Sequence, residues 1–136
     1  MAPGFNTRGW RRIQRLAESE DPASGRRRFR LYVIEVEALD PSLPYSFYVG
    51  FTGTSPERRL EQHRAGGARA WRQIRNGRAR AVRLRPDLME GLPVFRTVDA
   101  AKLAEGTLAR VVSANVGRAY SDRANDRRRD AAGANR

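Results

Sequence analysis

Apolar positions recur along this chain with two different periods, which predict helices near both ends and strands between them. The clearest helical stripe covers about 98–115 and carries an apolar side chain every three or four positions: Ala101, Ala104, Leu108, Val111 and Val112. A shorter helix is predicted over 7–19, where arginines separate Trp10, Ile13 and Leu16.

Between these helices the pattern predicts strands over 29–39, 47–51 and 79–84. The first two are joined by a loop with two prolines, too short for a crossover, so they pair antiparallel. The alternation at 79–84 is typical of an edge strand. A short helix or an ordered basic loop is predicted over 68–76, and a short extended piece at 94–95. The pattern therefore predicts an α+β fold, a small three-stranded, mainly antiparallel sheet flanked by helices.

The helix that follows the second strand has clear signals at both ends. Ser55 is suited to cap it, Pro56 suits its first position, and the paired glycines Gly66 and Gly67 suit its end. Arg59 and His63 are four positions apart and share one face of this helix. Tyr48 on the preceding strand, an arginine and the only histidine of the chain thus meet at one strand-to-helix junction, a layout suited to phosphodiester chemistry.

Three segments are predicted within the 136 residues. Residues 1–28 form a basic N-terminal extension with the short helix, and 29–120 form the central domain. Residues 121–136 have almost no apolar content and are predicted to be a disordered, mixed-charge tail.

The net positive charge of the chain indicates what kind of molecule it binds. The net charge is +12, and Lys102 is the only lysine among the 27 basic residues. Arginine offers a planar fork that grips phosphate with two hydrogen bonds, so a nucleic acid is the expected partner. The chain has no cysteine, which excludes disulfides and zinc ribbons. No apolar run approaches the roughly 20 residues that span a bilayer. We therefore expect a cytoplasmic protein without a membrane partner.

Hydrolysis of a phosphodiester requires an aligned water, a positive clamp on the phosphate and stabilisation of the leaving oxygen. A carboxylate-held divalent metal beside an arginine supplies the last two. Glu105 lies at the border of the apolar stripe of the long helix, where its carboxylate can be held in place. Each candidate also has an ordinary interpretation: glutamates on helices are commonly solvated, and Tyr32 and Tyr48 suit a sheet as packing aromatics.

The arrangement of these residues resembles the GIY-YIG nuclease domain. Tyr32, between Leu31 and Val33, stands in the place of the first motif, and Tyr48-Val49-Gly50 in that of the second. The helix from Glu57 to Gly67 resembles the next conserved element of that family, with Arg59 and His63 in its functional places. The segment around Glu105 resembles the one that carries the metal-binding glutamate. The resemblance covers roughly 29–120, and the stretch from Tyr48 to Gly67 carries most of it.

The resemblance implies roles for these residues. Glu105 would bind Mg²⁺ or Mn²⁺, Arg59 would stabilise charge on the phosphate, and Tyr32, Tyr48 and His63 would share the handling of the attacking water. The surrounding residues would form the nucleic-acid-binding surface: Arg58, Arg64, Arg69, Trp71, Arg72 and Arg75. The ring of Trp71 could also belong to the core, since tryptophan suits both places.

The expected function is a metal-dependent DNA endonuclease. Contacts to the DNA backbone give affinity without sequence specificity. We therefore expect branched, nicked or single-stranded DNA as the substrate rather than a defined sequence, as in DNA repair or recombination. Two alternatives stay open: a non-catalytic nucleic-acid-binding module on the same scaffold, and an RNA- or ribosome-associated basic protein.

Overall fold

A computed structural model describes residues 8–123. Its helices are α1 (Arg8–Glu18), α2 (Pro56–Ala65), α3 (Arg72–Arg75), α4 (Pro86–Met89) and α5 (Val98–Asn115). Its strands are β1 (Phe29–Ala38), β2 (Phe47–Thr52), β3 (Ala79–Leu84), β4 (Val94–Phe95) and β5 (Ala119–Tyr120). The predicted α+β class is confirmed, with the N-terminal helix in place.

The sheet has more strands than predicted. Its order is β3-β1-β2-β5, and β4 pairs with the beginning of β1. The pairings of β1 are antiparallel, whereas β5 runs parallel to β2. The predicted strands at 29–39, 47–51 and 79–84 are β1, β2 and β3, the extended piece predicted at 94–95 is β4, and β5 was not predicted. Both additional strands are two residues long, too short to show a period of their own.

The two faces of β1 serve different layers. Leu31 and Val33 belong to a core that includes α5 and the buried Trp10 and Ile13 of α1. Tyr32 and Ile34 alternate with them and belong to a second cluster on the opposite face. The site residues on α2 lie beside this second cluster, because the ring of His63 contacts that of Tyr32.

The predicted ends of α2 are confirmed. The Ser55 side chain accepts a hydrogen bond from the Arg58 N–H, and Gly66 ends the helix with a φ of 73°. This geometry fixes the direction in which α2 leaves the sheet, and with it the positions of Arg59 and His63.

The ordered structure continues past the predicted start of the tail. Ser121 is fully buried, and Asp122 lines a surface cleft beside β2. The remainder of the predicted tail, 124–136, lies outside the described residues, as do residues 1–7. Within 8–123, no helix combines the length and the apolar character needed to cross a bilayer.

Candidate active site

Tyr32 lies against a backbone position that has no side chain. Tyr32 and Gly50 face each other across β1 and β2. A Cβ on Gly50 would stand 2.5 Å from Cζ of Tyr32, well inside van der Waals contact. No positive φ is present at Gly50. The glycine is therefore required for space, and it lets the phenol ring of Tyr32 lie flat across β2.

The hydroxyl of Tyr32 is held by two residues of α2. Nε of Arg59 donates to it over 3.3 Å, and Nε2 of His63 lies 3.2 Å away. Arg59 is itself fixed by its Nη2, which donates to the carbonyl of Arg69 at 3.1 Å, and by a contact with Gln62. Three of the five side chains that the sequence predicts to act together, Tyr32, Arg59 and His63, thus meet around one phenol oxygen.

Both nitrogens of His63 are engaged. The backbone N–H of Trp71 donates to Nδ1 at 3.0 Å, so the neutral ring carries its proton on Nε2. Nε2 then donates to Tyr32. Burial, together with the nearby charge of Arg59, lowers the pKa of His63 to about 4, so the ring is neutral at pH 7. In this geometry His63 has no free lone pair and acts as a donor that orients Tyr32.

The hydroxyl oxygen of Tyr32 accepts two hydrogen bonds, and its O–H can donate one to a third partner. Burial raises its pKa to about 12, although the charge of Arg59 and its hydrogen bond oppose this shift. Burial also raises the pKa of Tyr48. Neither phenol is ionised at neutral pH in the free protein. A base role for either would require an additional positive charge beside it.

Tyr48 forms part of a cleft beside Tyr32, which we call the aromatic cleft. Its volume is about 330 Å³, and it is lined by Tyr48, Arg59, Arg69, Ala70, Trp71, Arg72, Arg75, Tyr120 and Asp122. The rings of Trp71 and Tyr120 lie 4.9 Å apart, and Tyr48 stacks 6.0 Å from Tyr120. One wall of the cleft is therefore aromatic, and arginines surround it.

Glu105 is the buried carboxylate of the site. It is 6% exposed, and burial, reinforced by the charge of Asp122, raises its pKa to about 8. Its negative charge in turn contributes to the raised pKa values of Tyr32 and Tyr48, which places it close to both. Glu105 lies on α5 and is not among the residues that line the aromatic cleft.

This donor set fits a hard divalent cation. Among residues 8–123 no cluster of three His, Cys, Asp or Glu side chains is present. Mg²⁺ commonly binds through one or two carboxylates and completes its shell with water and phosphate oxygens. Glu105 is such a carboxylate, and Asp122 repels it electrostatically. A cation held by Glu105 would offset that repulsion.

The predicted nucleic-acid-binding residues lie in four different places. Arg69, Arg72 and Arg75 line the aromatic cleft. Arg58 lines a neighbouring cleft, and Arg64 instead donates to the carbonyl of Val82 on β3. The ring of Trp71 is 4% exposed and packs in the core, which favours its structural interpretation over stacking on a base.

Sequence reasoning missed two residues of the aromatic cleft, Tyr120 and Asp122. Both follow α5: Asp122 lies in the segment that was predicted to be a tail, and Tyr120 directly precedes it. The available signal was the pair Ala119–Tyr120, two apolar residues directly before the polar segment. Its parallel pairing with β2 is what carries Asp122 to the site.

The contact between Tyr32 and Gly50 predicts a specific loss of stability. We expect Gly50→Ala to lower the free energy of unfolding by about 1–3 kcal/mol, because the added methyl group must displace the phenol ring. Urea denaturation of the wild type and the variant measures this loss of stability. Gly67→Ala is the matched control, since a Cβ there meets nothing within 4 Å. In a Tyr32→Ala background the cost of Gly50→Ala should disappear; an equal cost in both backgrounds would show that the ring is not the obstacle.

Comparisons with known proteins identify no relative. The chain matches no family model, no curated protein and no solved structure.

Proposed function

We propose that this protein is a metal-dependent nuclease of the GIY-YIG type that hydrolyses phosphodiester bonds in DNA. One observation carries the proposal. The hydroxyl of Tyr32 is held between Arg59 and His63, and the buried carboxylate of Glu105 lies close enough to raise the pKa of Tyr32. A phosphate clamp and an oriented hydroxyl are thus in direct contact, and a candidate metal ligand acts on the same hydroxyl electrostatically.

In the proposed mechanism Arg59 binds the scissile phosphate and stabilises the charge that develops on it. Its Nε stays on Tyr32, and Nη1, which donates one N–H to Gln62, has a second N–H for the phosphate. Tyr32, fixed by two donated hydrogen bonds, orients the attacking water through its own hydroxyl. His63 keeps Tyr32 in place, since both of its nitrogens are occupied.

Glu105, with Asp122 beside it, would hold Mg²⁺ or Mn²⁺. The ion would neutralise charge on the phosphate and the departing oxygen and would favour the ionised form of nearby groups. Glu105 must lose its proton to bind the ion, so metal affinity should rise with pH up to about 8.

The arginines around the clefts support a nucleic-acid substrate. On β3 and its neighbours, arginines pair with carboxylates: Arg78 with Asp40, Arg80 with Glu37, Arg83 with Glu35, and Arg85 with Glu35 and Asp87. Within 8–123 no such ion pair involves Arg58, Arg69, Arg72 or Arg75. Their charge is free to bind phosphate.

A cleavage assay tests the proposal. Purified protein is incubated with supercoiled, branched and single-stranded DNA and with RNA, each with Mg²⁺, Mn²⁺ or EDTA. We expect DNA cleavage that requires the metal and is stopped by EDTA. Tight binding of DNA without any cleavage would favour the non-catalytic module, and preferential binding of RNA at fixed salt would favour an RNA-associated protein.

A further inference from the structure

A second cleft adjoins the aromatic cleft at Arg59, and we call it the arginine cleft. Its volume is about 570 Å³. Arginine side chains and the turn between β2 and α2 line this cleft, and none of its lining residues is a carboxylate. The lining residues are Arg27, Phe29, Phe51, Thr52, Gly53, Thr54, Arg58, Arg59, Gln62, Arg69 and Val98. Arg59 and Arg69 line both clefts, so the two are contiguous.

Arg27 is held in this cleft by two contacts. Its guanidinium lies over the ring of Phe29, 5.1 Å from the centroid, and rests on the backbone of Gly53. A Cβ on Gly53 would overlap the guanidinium and would stand 3.2 Å from its carbon Cζ. Gly53 has no positive φ, so its lack of a side chain, and not its backbone freedom, is what Arg27 requires.

The charge in this cleft has no counter-ion in the described chain. Within 8–123 no ion pair neutralises Arg27, Arg58 or Arg69, in contrast to the paired arginines along β3. Four guanidinium groups around one concave space repel one another unless an anion lies between them. Arginine forks match the oxygens of a phosphate, and Arg27 is positioned in advance to bind one.

We propose that the arginine cleft binds a backbone phosphate of the same nucleic-acid strand, next to the scissile phosphate. This inference rests on the proposed function, which places the scissile phosphate at Arg59 in the aromatic cleft. A nucleic-acid strand carries phosphates at regular intervals, so a strand that passes Arg59 and Arg69 can present one phosphate to each of the two clefts. The arginine cleft therefore sets the path of the strand, and Arg27 anchors it.

Salt-dependent binding tests this inference. The probe is a short fluorescein-labelled oligothymidylate, and its affinity is measured by anisotropy against salt concentration in the Glu105→Gln background, which should not cut it. Arg27→Ala should weaken binding roughly tenfold and reduce the slope of log K against log salt by about 0.7, the value of one phosphate contact on a single strand.

Gly53→Ala is the more specific test of the position of Arg27, because it displaces the guanidinium without changing the net charge. We expect it to reproduce most of the Arg27→Ala effect. Arg80→Ala removes the same charge from an arginine paired with Glu37 and should leave the slope nearly unchanged. Thermal melts check that each variant is folded, and Arg27→Gln, which keeps the side-chain length, gives a second test of the lost charge.

The outcomes separate the two proposals. Equal slopes for wild type, Arg27→Ala and Arg27→Gln would overturn the phosphate site, and so would an equal loss in Arg80→Ala. Neither of these two results would contradict metal-dependent cleavage, which is measured separately. If the wild type binds the strand with the predicted slope but never cleaves DNA, the nuclease proposal fails and the phosphate site is supported as part of a binding surface.

Discussion

Glu105→Gln is expected to stabilise the metal-free protein while it abolishes cleavage. Glu105 is buried, and its pKa is raised to about 8 by burial and by Asp122. Between pH 4.5 and about 8 the folded protein keeps a proton that the unfolded chain has released. The free energy of unfolding therefore falls as pH rises through this interval, by a few kcal/mol in total.

Glutamine does not titrate. The free energy of unfolding of the Glu105→Gln variant therefore does not fall as pH rises through this interval. We expect the variant and the wild type to be similar near pH 4.5 and the variant to be more stable at pH 9, as measured by urea denaturation in EDTA. Glu61→Gln, an exposed glutamate on α2, should follow the wild type at both values. Parallel pH profiles for wild type and Glu105→Gln would contradict the buried, proton-holding carboxylate.

Arg59→Lys is expected to reduce the cleavage rate by about 100- to 1,000-fold, although it keeps the charge. The guanidinium bonds Tyr32 through Nε and the carbonyl of Arg69 through Nη2 at the same time. The ammonium group of lysine is compact and cannot donate to Tyr32, to the Arg69 carbonyl and to a phosphate at the same time. Single-turnover cleavage at saturating protein measures the effect on the chemical step.

Arg58→Lys is the matched control for Arg59→Lys. It is the same substitution at the next position of α2, where the side chain is exposed and lines the arginine cleft. We expect little change in the single-turnover rate. An equal loss in both variants would show that general phosphate binding, and not the geometry around Tyr32, determines the rate.

Local signals made most of the fold predictable. The long helix was expected over about 98–115 and is observed at Val98–Asn115, because its apolar stripe and its ends are encoded in neighbouring residues. The ends of α2 were predictable for the same reason, from Ser55 and Gly66. β5 was not predicted, because two residues carry no periodicity and its pairing with β2 depends on where α5 ends.

The site was predictable in part. The spacing of Arg59 and His63 on one helix, and the placement of Tyr32 and Tyr48 on paired strands, could be inferred from the chain. The engagement of Nδ1 of His63 by the Trp71 N–H could not, because it depends on how α2 and α3 pack. Arg27 was missed because its place is created by the missing side chain of Gly53, a contact across 26 positions that no local pattern encodes.

The rate of nicking of supercoiled DNA by wild type and Glu105→Gln, each in Mn²⁺ and in EDTA, tests the central claim most directly. The account predicts nicking by the wild type in Mn²⁺, none in EDTA, and a rate at least about 1,000-fold lower for Glu105→Gln in Mn²⁺. Glu61→Gln should nick at the wild-type rate. Equal nicking by wild type and Glu105→Gln would contradict the assignment of Glu105 as the metal ligand of a nuclease, as would wild-type nicking that persists in EDTA.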